Sequence, residues 1–121
     1  MSTTPLFQPG ANIAMKVPAA AFDATVAFYS ETLGFRVESR DASSMVIDFG
    51  GKHLWIDRVE TIEKSEVWLE VATHDLASAL SHLAAKGVER CDEVEALPEG
   101  MAAFWIKNPA AAVHLVTETA P

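Results

Sequence analysis

The stretch Val26-Ala27-Phe28-Tyr29-Ser30-Glu31-Thr32-Leu33-Gly34-Phe35 decides how the chain is read. With Phe22 ahead of it, Val26, Tyr29 and Leu33 recur at offsets of four, three and four. That spacing lays one apolar stripe along a helix over 22–33. Gly34 stands where a helix ends in a left-handed residue. The strand before the helix is Ala11 to Val17, with Ile13, Met15 and Val17 on one face and Pro18 as its end. After it, Phe35 to Arg40, Met45 to Phe49 and Lys52 to Val59 read as three strands, the last two joined at Gly50-Gly51.

The same order then recurs. Glu66 to Ala72 is a strand, Asp75 to Lys86 a helix striped by Leu76, Leu80 and Leu83, and Gly87 its stop. Val88 to Val94, Met101 to Lys107 and Ala112 to Thr117 follow as strands. The helix-ending glycines Gly34 and Gly87 are 53 residues apart, and the strand-ending Val17 and Val71 are 54 apart. The chain is therefore read as βαβββ twice, an α+β class. Module one covers about 11–59 and module two about 65–118, in a single domain over 11–118 with residues 1–10 as a loose lead. Neither half alone buries a good core.

The 121 residues carry a net charge of -8, and half are hydrophobic. A nucleic-acid binder needs a basic face, and none is present. The acidity also argues against anionic membranes. No run is long enough to cross a bilayer, and the N-terminus lacks the pattern of a secretory signal. A single cysteine, Cys91, cannot form an internal disulfide, so a cytoplasmic setting is expected. Cys91 itself reads as a small buried hydrophobe on a strand.

Residues 26–35 resemble the "aFYrdvLGF" signature of the vicinal oxygen chelate superfamily, which includes glyoxalases, bleomycin-resistance proteins and extradiol dioxygenases. Asn108-Pro109 is similar to that family's "DPdG" turn, with Ala110 and Ala111 in place of the usual acid and glycine. The resemblance implies two βαβββ modules forming a cupped, incomplete eight-stranded barrel around a ligand cavity. It also implies homodimers. In metal-using members, the first and last strand of each module supply the ligands. Carried over by strand parity, those positions are Asn12, Trp55, Glu66 and His114, or Leu115 if the preceding turn has its usual length. Parity favours His114.

Trp cannot ligate and Asn is a poor ligand, so two good donors remain, fewer than a stable site needs. No cofactor is expected; a divalent metal, if bound, would use Glu66, His114 and Asn12. The cup is instead expected to present Asn12, Lys16, Trp55, Asp57, Glu66, Trp68 and Glu70. His53 is assigned to the helix side or a subunit contact, and His82 to solvent. Indoles with carboxylates suit an aromatic or cationic small molecule, bound by Asn12, Trp55, Asp57, Trp68 and Glu70. The competing reading is a lyase, isomerase or dioxygenase in which Glu66 and His114 hold a metal or move a proton.

Overall fold

A computed structural model describes residues 6–119 as two compact units, one of residues 11–68 and the other of residues 69–119 with 6–10. The first unit carries most of β1 (Phe7–Pro18), then α1 (Phe22–Ala27), β2 (Val37–Arg40), β3 (Ser44–Phe49) and β4 (Lys52–Val59). Its strands lie in the order β2-β3-β4-β1. β1 runs parallel to β4 with Ile13 beside Leu54, Met15 beside Ile56 and Val17 beside Arg58. Alternation along both strands turns Val17, Leu54 and Ile56 under α1, where they join Phe22, Val26, Met45 and Ile47, with Ile13, Met15 and Tyr29 packed against them.

The expected helix over 22–33 is present in two parts. After Ala27 the backbone widens to a π-helical segment, Phe28–Thr32, and Leu33 N–H donates to the Phe28 carbonyl at 2.9 Å. A turn with more residues delays the apolar stripe. Tyr29 consequently stays half-buried, while Leu33 is turned out. Gly34 takes φ +73°, the left-handed stop that the sequence called for.

The second unit orders its strands β5 (Glu66–Thr73), β7 (Val113–Glu118), β6 (Ala103–Lys107), with α2 over Leu76–Ala85. Glu66 and Trp68, at the start of β5, belong to the first unit. Asp75 caps α2: its carboxylate accepts the Ser78 N–H at 3.0 Å. Ala79 is the fully buried residue of that helix, and Leu76, Leu80 and Leu83 are half-buried around it.

Two expectations change. The lead is shorter than ten residues, because β1 begins at Phe7, whose ring lies 5.9 Å from that of His82. The expected strand over 88–94 is absent, so the described residues hold seven strands and not eight. A single bridge joins Arg90 to Ile106, and Asp92–Val94 is a turn of 3-10 helix. The reason is local. The Asp92 carboxylate accepts the Trp105 N–H at 3.1 Å, the donor that a neighbouring strand's carbonyl would otherwise take. Cys91 is buried but off any strand.

Two outcomes follow from this packing. Ile56→Ala opens a cavity against α1 and is expected to cost about 2–5 kcal/mol in urea denaturation. Backbone and side-chain donation from Ser78 holds the Asp75 carboxyl below its ordinary value of 3.8. Asp41 is held down likewise by Ser43, and Asp48 by Arg36. With the folded value depressed, the unfolded chain binds more protons in this range. Stability is therefore expected to fall as pH drops from about 4 through the folded values, read as a falling urea midpoint. Asp75→Asn should flatten that slope.

Candidate functional site

The parity that sends Leu54 and Ile56 to the core sends their neighbours to the opposite face of the same strands. β1 places Asn12 beside His53, Ala14 beside Trp55 and Lys16 beside Asp57. All six therefore share one face, which corrects the placement of His53: it lies with Trp55 and Asp57, not on the helix side. His53 Nδ1 sits 2.6 Å from Glu38 Oε1. His82 is exposed, as expected.

Two linked groups form on this face. Trp55 is 39 % exposed, and its indole N–H donates to Asn12 Oδ1 at 2.8 Å. The bond holds the indole edge while leaving ring surface to solvent. Four residues on, Lys16 is 5 % exposed and donates to Asp57 Oδ2 at 2.8 Å. Its ammonium also lies 4.4 Å from the centroid of Trp68, whose N–H donates to Glu66 Oε1 at 3.1 Å. Neither Trp55 nor Trp68 belongs to the buried core.

The carbon stem of Lys16 is buried and its charge is met by a carboxylate and a π face. Lys16 was expected on this face but not as a binding residue. Its importance was hidden because Asp57 is 41 residues away in sequence and Trp68 lies on another strand.

Glu70 and His114 stand in the other unit. Glu70 is half-buried beside Gly10, where a Cβ would collide with the Glu70 side chain; glycine there leaves the carboxylate its place. His114 is half-buried, with Nδ1 3.0 Å from the Ala112 carbonyl, so in the neutral ring Nδ1 carries the proton. Glu66, in the first unit, is exposed, and its Oε1 accepts the Trp68 N–H.

Two of the four carried-over ligand positions, Asn12 and Trp55, offer little to a metal ion. Trp55 has no lone pair to give, and it engages the one side-chain oxygen of Asn12. Among the described residues no group of three His, Cys, Asp or Glu is placed to hold one. Burial, with Glu93 adding to it, pushes the Cys91 thiol up, away from the thiolate that nucleophilic chemistry needs.

The Lys16–Asp57 pair carries a direct test. Lys16→Met leaves Asp57, 21 % exposed at its side chain, without this cation. The expected loss is about 3 kcal/mol in chemical denaturation. The double variant Lys16→Met, Asp57→Leu should recover part of it, because the carboxylate stranded by the single change is then removed with its cation.

Similar proteins agree with this geometry at the level of fold. A family model described as a glyoxalase-like domain matches residues 12–110. No curated protein matches the chain. A glyoxalase/bleomycin resistance protein/dioxygenase superfamily member from Vibrio splendidus shares 13 % identity over 88 % of this chain and 97 % of its own, with a TM-score of 0.63. Methylmalonyl-CoA epimerase from Mycobacterium tuberculosis shares 17 % over 100 % of this chain and 94 % of its own, at 0.59. The Mn(II)-bound glyoxalase from Novosphingobium aromaticivorans shares 21 % over 89 % of this chain, which spans 38 % of that protein, at 0.65. With two βα modules, the signature over 26–35 and a family match across most of its length, the chain belongs to the glyoxalase-like family of the vicinal oxygen chelate superfamily.

Proposed function

We propose that the chain binds a small planar aromatic molecule against the face carrying Asn12, Trp55 and Trp68, without a tightly bound metal. The carrying observation is Trp55: a large indole 39 % exposed, held at its edge by Asn12 rather than packed into the core. A restrained, solvent-facing indole is a stacking platform with little conformational entropy left to lose.

The choice between an aromatic and a cationic ligand turns on Lys16. The chain's own ammonium already covers one face of Trp68 and neutralises Asp57. That leaves Trp55 and Glu66 to attract a positive group, and it favours the aromatic class. The enzyme reading needs Glu66 and His114 to act together, whereas each has a separate hydrogen-bond partner, Trp68 and the Ala112 carbonyl.

Fluorescence titration of the full chain with indole analogues that do not absorb at the exciting wavelength, and with N-methylquinolinium, tests this. Saturable binding is expected, stronger for the neutral aromatic. Trp55→Ala should weaken it about fivefold, from a stacking loss of about 1 kcal/mol. Glu66→Gln should change it little. Absence of saturation, or affinity unchanged in Trp55→Ala, overturns the proposal. Turnover lost on Glu66→Gln or His114→Ala, with binding retained, would establish the enzyme instead.

A further inference from the structure

His53 and Glu38 have no part in the binding just proposed, yet they meet on the same face. His53 Nδ1 and Glu38 Oε1 are 2.6 Å apart, with side chains 46 % and 25 % exposed. The contact spans three strands: Glu38 on β2 reaches over β3 to His53 on β4. The pairing register shifts between Val37 and Ser39, and Glu38 falls at that irregularity. Such a break aims a side chain differently from its neighbours on a regular strand. The second oxygen of Glu38 lies 3.9 Å from the Arg36 guanidinium, which also donates to Asp48 at 3.1 Å. The carboxylate is thus held from two sides.

An ionised carboxylate only accepts, so Nδ1 carries the imidazole proton in this contact. In the neutral ring Nε2 is then left as an acceptor. Its position gives that acceptor a use. Asn12 is the register partner of His53, and the Trp55 indole N–H donates to Asn12 Oδ1 at 2.8 Å. That bond draws the edge of the indole toward the row that holds His53. His53 and Trp55 stand two residues apart on one face of β4, a separation of roughly 7 Å, about the length of a two-ring ligand.

We propose that His53, oriented by Glu38, determines which aromatic molecule the face accepts: Nε2 takes a hydrogen bond from an N–H on the rim of a ring stacked on Trp55. The inference rests on the stacking platform proposed above and narrows its ligand to neutral N–H heteroaromatics. Two features of the row select that class. A ring with an oxygen at its rim sets lone pair against lone pair at Nε2 and leaves a covered acceptor without a donor. A phenol that lost its proton would meet Glu38 and Asp48 as like charges, whereas a ring N–H of the indole kind stays neutral. Glu38 is a positioning residue. Without it the imidazole is free to carry its proton on Nε2, and it would then offer a donor where the ligand needs an acceptor.

Titration calorimetry of the full chain compares indole with benzofuran, a ring of the same shape in which oxygen replaces the N–H. The assay is run at about pH 8, where an imidazole is ordinarily neutral. Wild type is expected to favour indole about fivefold, the worth of one neutral hydrogen bond. His53→Phe and Glu38→Ala should each bring that ratio close to one. Nitrogen NMR of the imidazole gives a second reading, in wild type, that needs no variant to fold. The proton is expected on Nδ1, and indole but not benzofuran should shift the Nε2 resonance. In Glu38→Ala the proton should move to Nε2, a change that a merely structural role for Glu38 would not produce.

No saturable binding of either ring overturns stacking on Trp55 and this inference with it. Equal affinity for the two rings in wild type leaves stacking in place and overturns the role of His53 alone. So does a preference for indole that survives His53→Phe, or an Nε2 resonance that indole leaves unmoved.

Discussion

Parallel pairing of β1 with β4, in the register that sets Ala14 beside Trp55, is the constraint from which the rest of the first unit follows. In a strand, successive side chains leave on opposite faces, so one register assigns both faces at once. Met15, Leu54 and Ile56 on one side make the floor for α1. Asn12, Lys16, Trp55 and Asp57 are then committed to the other side. A slip of one residue would bury the polar set and expose the core.

That commitment places Lys16, a long cation, where it is almost wholly covered. Burying an ammonium is costly unless it is paired, and here Asp57 and Trp68 supply the pairing. The consequence is chemical as well as structural. A face lined by indoles and carboxylates reads as a trap for cations, but this one already contains its own. What stays open is the ring surface of Trp55, fixed by Asn12. The β4 position that the resemblance assigns to a ligand holds an indole, Trp55, and the Asn12 amide is occupied in orienting it.

The outer edge of the same unit is shaped by two departures from regularity. A wide helical turn rotates Leu33 outward, and a register irregularity in β2 shortens the strand that can pair. Both act on side chains that regular periodicity would have treated differently. They leave an apolar surface next to a short strand of alternating charge, which regular elements alone would not have produced.

The repeated order of strand, helix and hairpin was legible because hydrophobic period and helix-stopping glycines are local signals, set by backbone geometry within a few residues. The β1 and β4 faces were legible for the same reason, through strict alternation. The missing eighth strand was not: a side-chain oxygen of Asp92 replaces a backbone acceptor, and residue type does not reveal which donor it will meet. His53 was misplaced although its parity with Trp55 was available in the sequence. Lys16 shows the limit most clearly. The sequence determined which face it occupies; tertiary structure alone decided that Asp57 and Trp68 would meet its charge, because electrostatic partners are chosen by proximity in space, across 41 and more residues of chain.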